Sequence, residues 1–135
     1  MSEHWINGLI GKPWESGKDG PFSFDCWGLC RFVQWEHYDR ILPMVNVEAI
    51  NLREVVKNIG GHPERARWYQ VERPVDGGLV EMWRSENPDH IGIWVDVEGG
   101  GVLHCLQRLG VCFDSLTVLK MSKWRKINFY RCLDG

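Results

Sequence analysis

The sequence predicts an α+β fold in which N-terminal helices pack on a C-terminal antiparallel sheet. Its 135 residues are 44% hydrophobic and 25% charged, which suits a single domain over residues 1–135. Apolar residues recur at helical spacing in the first part of the chain, and they alternate with a period of two from about residue 78 onward. Helices followed by a run of strands are the order expected of this fold class.

The N-terminal part contains three predicted helices, and the second of them begins at Cys26. Segment 2–11 (SEHWINGLIG) is expected to form a short helix with Ser2 as its N-cap. Segment 11–24 is rich in glycine and proline and is expected to be a loop. Segment 46–61 has an amphipathic pattern that ends in two glycines, which predicts a further helix.

The longest helix is predicted over residues Cys26–Tyr38. Leu29 and Val33 lie four residues apart on its apolar side, and the preceding loop ends in residues that can cap a helix. Asp25 or Ser23 is the expected N-cap.

The C-terminal half predicts strands separated by turns and one short helix over 115–124, before the last strand. The glycine-rich turn at 96–101 makes its flanking strands a candidate hairpin. The predicted strands cover residues 78–84, 90–96, 101–107, 110–114 and 126–132.

Charge and cysteine content exclude several classes of protein. The formal net charge of −2 gives no general attraction to nucleic acid or to anionic lipid. The five cysteines are odd in number and form no C-x-x-C pair, which favours a reducing compartment over a disulfide scaffold or a zinc ribbon. The N-terminus lacks the pattern of a signal peptide, and no apolar run approaches the length of a membrane span.

Cys26 stands at the predicted start of a helix, where backbone N–H groups and the helix dipole favour negative charge. This position is expected to lower the pKa of the thiol and to favour the nucleophilic thiolate. On the local sequence alone, a buried and inert thiol is the more common explanation.

Two histidines on the predicted hairpin change that balance. Pairing about the turn places residue 90 near 107, and makes His90 and His104 near-diagonal neighbours. Gly92 shares a face with His90 and leaves room for another group. If this face meets the helix at Cys26, one imidazole can act as base and the second can orient it. Each histidine alone is most simply a half-buried strand residue, but together with Cys26 they favour a reactive site.

A zinc site built from the same region is the weaker alternative. It would use Cys26, Cys30, His90 and His104, but the two cysteines share a helix and lack the usual loop between metal ligands. Neither a metal nor a cofactor is therefore expected, and Cys30 is expected to pack against the sheet.

The motifs around these residues resemble those of the NlpC-type cysteine peptidases, which are cell-wall hydrolases with a papain-like core. The resemblance extends from about Gly11 to Gln107, and the C-terminal tail fits the family's final strands. It implies one peptidase domain over 1–135 with the catalytic cysteine at a helix N-terminus. The matching segments are GKPW (11–14), FDCWGL (24–29), DHIGIWV (89–95) and GGGVLHC (99–105).

The resemblance implies a role for each matching residue. Cys26 would be the nucleophile, His90 the general base, and His104 the polar residue that orients the base. Asp25 would be structural or helix-capping. The backbone N–H of Cys26 would bind part of the developing oxyanion.

Two tryptophans depart from the family pattern. Trp14 stands where the family has a loop tyrosine associated with the oxyanion site, and an indole can donate a hydrogen bond but cannot accept one. Trp27 replaces the serine that usually follows the cysteine, and it is expected to fill part of the substrate groove.

The implied activity is hydrolysis of an amide bond in the peptidoglycan stem peptide, by family analogy the γ-D-glutamyl–diamino acid bond. An amidase at the muramoyl–L-alanine link is one alternative. A catalytically silent tail or wall-binding module is another. Peptidoglycan stem peptides are the expected partners, and neither nucleic acid nor membrane is expected.

Further segments are more specifically similar to the phage-tail branch of the family, which occurs in tail tips, prophages and gene-transfer particles. This branch implies phage or phage-like tail proteins as partners. It also implies synthesis in the cytoplasm and transport to the bacterial cell wall by a particle. The segments are LP (42–43), VLHCLQRLGV (102–111) and the W…FYR ending (124–131).

Overall fold

The computed structural model describes residues 4–42, 68–84, 86 and 88–132, and for residues 88 and 89 it describes the backbone only. Ser2 and the helix predicted over 46–61 lie outside the described residues. Within them, a helical N-terminal part precedes a sheet, which confirms the predicted α+β order.

The first helical element is shorter than predicted. It is a single turn of 3-10 helix, Trp5–Gly8, and not a helix over the whole of 2–11. His4, rather than Ser2, is its cap, because His4 Nδ1 accepts a hydrogen bond of 3.3 Å from the amide of Ile6.

Helix α1 spans Cys26–Tyr38, as predicted. Of the two candidate caps, Asp25 fills the role: its Oδ1 accepts a hydrogen bond of 2.6 Å from the amide of Gly28. Its Oδ2 accepts a second, of 2.8 Å, from the amide of Gly17. One buried carboxylate therefore joins the 11–24 loop to the start of the helix and fixes the position of Cys26.

Gly28 explains how closely this loop approaches the helix. A Cβ atom at position 28 would lie 2.0 Å from the carbonyl oxygen of Lys18 and 2.9 Å from the Cα of Asp19. Both atoms belong to the backbone, so no side-chain rotation could relieve the clash. The first turn of α1 therefore needs glycine at this position.

The sheet contains six strands in the order β1-β6-β2-β3-β4-β5, and every pair is antiparallel. The five predicted strands are confirmed to within two residues at each end. Strand β1 was not predicted, because its four residues show no apolar alternation: the first is buried, the next two are exposed and the last is half-buried. The strands are β1 Trp68–Val71, β2 Leu79–Trp83, β3 Pro88–Val95, β4 Gly101–Leu106, β5 Gly110–Asp114 and β6 Lys126–Cys132.

The two faces of the sheet carry different residues and different helices. Helix α1 packs on the face formed by alternate residues that include Ile91, Ile93, Leu103 and Cys105. The short helix predicted over 115–124 is α2, Leu116–Met121. Helices therefore cover both faces of the sheet.

The second face has its own apolar cluster beside α2, in which Leu119 packs against Val80, Met82, Trp94 and Val102. None of the helices in the described part of the chain combines the length and apolar character needed to cross a bilayer.

Candidate active site

The candidate site is a cleft of about 230 Å³ at the end of the sheet where β3 begins and β4 ends. It contains two thiols, an imidazole and a guanidinium group, beside two indole rings and an aliphatic side chain. The residues that line it are Trp14, Cys26, Arg84, His90, Cys105, Leu106, Gln107 and Trp124.

Cys26 and His90 meet in this cleft by a route that the sequence did not predict. The sequence analysis made the site conditional on contact between the histidine face of the sheet and the start of α1. The helix itself packs on the opposite face, against Ile91 and Ile93. Both residues still reach the cleft because Cys26 is the first residue of α1 and His90 lies near the start of β3. The site therefore forms at the end of the sheet where β3 begins, which residues from either face can reach.

The pairing of β3 with β4 is one residue off the predicted register. Gly92 lies opposite His104, and Trp94 lies opposite Val102. Because directly opposed residues share a face, this pairing places both histidines on one side of the sheet. A Cβ atom at Gly92 would lie 2.9 Å from Cβ of His104. This confirms that Gly92 leaves room for a neighbour of His90, and the neighbour is His104.

His90 is held from two sides. Its Nε2 lies 2.9 Å from Nδ1 of His104, and its ring stacks on the indole of Trp124 with a centroid separation of 5.4 Å and an angle of 11°. Only 7% of His90 is exposed. Burial lowers the pKa of His90 well below its ordinary value, and the neighbouring His104 and Arg84 lower it further. His90 is therefore a neutral imidazole, which is the form that can accept a proton.

His104 is in turn held by Asp114, a residue that the sequence analysis did not single out. His104 Nε2 lies 2.8 Å from Asp114 Oδ2. This hydrogen bond lowers the pKa of the Asp114 carboxyl, although burial partly opposes the effect. Asp114 is therefore ionised and can only accept a hydrogen bond from the imidazole.

The chain of contacts assigns the ring protons when both imidazoles are neutral. Because Asp114 only accepts, His104 carries its proton on Nε2 and accepts at Nδ1. His90 then donates from Nε2 to His104, which leaves Nδ1 of His90 without a proton. Asp114 thus acts through two rings to leave one nitrogen of His90 basic.

The thiol of Cys26 does not have the lowered pKa that its position at a helix start predicts. Burial raises the pKa to about 11, and the charge of Asp25 raises it too. Backbone N–H groups of Ile91, Trp27 and Cys26 itself favour the thiolate, but they are outweighed. The expected resting thiolate is therefore wrong: burial within the site exceeds the contribution of the helix N-terminus.

The other predicted site residues take three different positions. Trp14 is half-buried and lines the cleft beside Cys26. Asp25 lies beneath the helix start as a cap and does not line the cleft. Trp27 is 1% exposed and belongs to the core on the α1 side, so it does not fill the groove. Cys30 is fully buried in the same core, as predicted.

Sequence reasoning missed Asp114 and Trp124. A signal for Asp114 existed, because a hairpin between β4 and β5 pairs His104 with Cys112, and period-two alternation then places Asp114 on the same face. Trp124 lies between α2 and β6 and had no periodic signal. Its position depends on how α2 packs across the sheet.

No protein-family model and no curated protein sequence matches the chain. Solved structures do match. NlpC2 from Trichomonas vaginalis superposes with a TM-score of 0.63 at 15% identity and covers 93% of this chain. The chain spans only 43% of the length of NlpC2.

Two further structures match over most of both chains. The NlpC/p60 domain of the peptidoglycan hydrolase SagA gives a TM-score of 0.54 at 18% identity, covering 88% of this chain and 86% of its own. An N-acetylmuramoyl-L-alanine amidase from Bacteroides uniformis gives 0.56 at 11% identity, covering 94% and 97%. The protein therefore has an NlpC/p60-like α+β fold, and identities this low are evidence for the fold alone.

Proposed function

We propose that the protein is a cysteine hydrolase that cleaves an amide bond in the stem peptide of peptidoglycan. One observation carries the proposal: Cys26 and His90 line the same cleft, and His90 is backed by a hydrogen-bonded chain through His104 to Asp114. A nucleophile, a base and groups that orient the base are the parts that acyl transfer requires. The NlpC/p60-like fold supports peptidoglycan as the substrate.

The first half of the reaction acylates Cys26. Because the thiol is neutral at rest, His90 accepts its proton at Nδ1 as the sulfur attacks the carbonyl carbon. The backbone N–H of Cys26 stabilises part of the oxyanion, and Trp14 lines the cleft where its indole N–H can add a second donor. The imidazolium of His90 then gives its proton to the leaving amine, and the C–N bond breaks.

The second half regenerates the thiol. Water attacks the thioester carbonyl while His90 accepts one of its protons. The C–S bond breaks, the sulfur recovers the proton from His90, and the carboxylic acid product leaves. Through both halves, the stack on Trp124 and the hydrogen bond to His104 keep the ring of His90 in one orientation.

The proposed bond is the γ-D-glutamyl–diamino acid link, by the resemblance of the sequence motifs. The amidase activity at the muramoyl–L-alanine link is the second candidate, and the fold shared with the Bacteroides uniformis amidase over 94% of this chain favours it. Both activities would use the same Cys26 and His90 chemistry. The sequence motifs alone support the further proposal that a phage or phage-like tail particle carries the protein to the cell wall.

The test is digestion of purified peptidoglycan followed by mass spectrometry of the products. Wild-type protein is expected to release fragments that carry a new N-terminal diamino acid, whereas an amidase would release intact stem peptides from the glycan. Cys26→Ala should abolish all new products. Cys30→Ala is the matched control, because it removes a buried thiol one turn further along the same helix.

Full cleavage by Cys26→Ala would contradict the proposal. Absence of cleavage by folded wild-type protein, on peptidoglycans of several stem compositions, would favour the catalytically silent wall-binding module.

A further inference from the structure

His104, Cys112 and Asp114 form a cluster on strands β4 and β5, and Cys112 has no role in the proposed reaction. Cys112 Sγ lies 3.4 Å from Nε2 of His104 and 3.8 Å from Oδ2 of Asp114, and the latter two atoms are 2.8 Å apart. All three residues lie on paired strands, since His104 is directly opposite Cys112 on β5. The paired backbone fixes their separation.

The separations are close to those of ligands around a tetrahedral zinc ion. Zinc–sulfur, zinc–nitrogen and zinc–oxygen bonds of about 2.3, 2.0 and 2.1 Å place tetrahedral ligand atoms about 3.3 to 3.6 Å apart. The three atoms of the cluster lie within 4.8 Å of one another, and shifts of about 0.5 Å or less would bring them to this spacing. Thiolate, imidazole and carboxylate together are a donor set that suits zinc.

The charge of the three ligands and their exposure to solvent also favour a zinc ion. A Cys112 thiolate and the Asp114 carboxylate carry two negative charges beside a neutral imidazole, which a divalent cation would balance. The His104 side chain is 1% exposed, but that of Asp114 is 28% exposed and Cys112 is half-buried. The cluster is therefore open to solvent on its β5 side, where a water molecule can complete four-coordination.

We propose that His104, Cys112 and Asp114 form a zinc-binding site that switches off the hydrolase when it is filled. The site itself does not depend on the proposed function, but its effect on activity does. The ion would occupy Nε2 of His104, the atom that otherwise donates to Asp114. Zinc in this way would break the chain of hydrogen bonds that leaves His90 basic.

The proton balance of the switch can be written in full. Zinc binding displaces the proton of Cys112 and the proton on Nε2 of His104, and both go to solvent. His104 stays a neutral ring by taking the Nε2 proton of His90 at its own Nδ1. His90 then takes one proton from solvent at its Nδ1. The nitrogen that would accept the thiol proton of Cys26 is thereby occupied, with one proton released overall.

The binding experiment uses Co²⁺ as a spectroscopic substitute for zinc, in a Cys26→Ala background that removes the cleft thiol. We expect a thiolate-to-cobalt charge-transfer band that saturates at one equivalent and that zinc removes by competition. The further variant Cys112→Ala should lose the band, and Asp114→Asn should weaken Co²⁺ binding by about tenfold or more. Cys105→Ala is the matched control, because this thiol lies one strand away on the opposite face and should leave the band unchanged.

The activity experiment measures peptidoglycan cleavage with and without Zn²⁺, each variant relative to its own metal-free rate. Wild type should lose activity at one equivalent of zinc and regain it with a chelator, whereas Cys112→Ala should need far more zinc. No cobalt band, or a band that survives Cys112→Ala, would overturn the site. Zinc that binds without lowering the wild-type rate, or inhibits Cys112→Ala equally, would overturn the switch. A chain with no activity at all would overturn the proposed function, and the cobalt band would still decide the site.

Discussion

Strands β3 and β4 contribute an apolar core on one face of the sheet and two histidines of the candidate site on the other. On β3 and β4, Ile91, Ile93, Leu103 and Cys105 face α1 and are almost completely buried in an apolar core. The intervening residues His90 and His104 face the other way, and these two are joined to Asp114 by hydrogen bonds. Changes in the core beneath α1 should therefore affect folding, and changes at His90 or His104 should affect chemistry.

The largest expected effect is on the histidine face, at His90. The variant His90→Ala removes the base, and kcat/KM for peptidoglycan cleavage should fall by about 1,000-fold or more. Chemical denaturation should still give a cooperative transition, because the residue lies outside the core cluster beneath α1. A folded His90→Ala protein that retains wild-type kcat/KM would contradict the assignment of the base.

The lowered pKa of His90 also predicts the acidic limb of the rate profile. A base must be deprotonated to work, so activity should persist as the pH falls below the ordinary histidine range and should be lost only when His90 itself protonates. The measurement is kcat/KM against pH. An acidic limb above the ordinary histidine value would contradict the burial argument.

The matched change on the helix face is Ile93→Ala, on the same strand. Ile93 is fully buried in the α1 core, so its truncation should lower the free energy of unfolding by about 2–5 kcal/mol. Urea denaturation measures this loss. The kcat/KM of the remaining folded protein at low temperature should change by less than about threefold. A loss of activity as large as that of His90→Ala in fully folded protein would show that the two faces are not separable.

Asp114→Asn should have an intermediate effect on activity. An asparagine amide can donate to Nε2 of His104, which reverses the donor and acceptor along the chain and leaves His90 with the wrong nitrogen protonated. We expect kcat/KM to fall by about 100-fold, in the presence of a chelator, with little change in stability. Glu98→Gln is the control for loss of a carboxylate on the surface. Equal activity of both variants would show that Asp114 does not act through His104.

A further test, which needs no substitution, is the alkylation of Cys26 by iodoacetamide. With the pKa raised from 9.0 to about 11, its thiolate fraction at neutral pH is about 100-fold below that of an ordinary thiol. The rate should therefore rise steadily with pH toward about 11. A plateau beginning below about pH 7 would instead indicate a resting thiolate paired with an imidazolium.

Local patterns in the sequence predicted most of the fold. Helical periodicity gave both ends of α1, and Asp25 was one of two predicted caps. The glycine-rich turn gave the β3–β4 hairpin. Strand β1 was not predicted, because it pairs with the distant β6 and its own residues show little apolar alternation.

Some residues of the candidate site were predictable from the sequence, but its electrostatics were not. Cys26 and His90 were paired by chemistry and motif, and the structure brings both to one cleft. Packing between distant segments determines which face of the sheet contacts α1, and it also determines the pKa of the Cys26 thiol. The spacing of residues along the chain does not reveal this packing. Asp114 required the exact register of β4 with β5, where a shift of one residue moves a side chain to the other face.

The most direct test of the central claim is to ask which thiol of the cleft reacts with a substrate-like electrophile. Cys26 and Cys105 both line the cleft, so a stem-peptide chloromethyl ketone can reach either one. Peptide mass spectrometry should find the label on Cys26 alone. Added muropeptides should block this labelling, and His90→Ala should slow it strongly. Label on Cys105, or label on Cys26 that is indifferent to His90, would contradict the assignment of Cys26 as the nucleophile and His90 as its base.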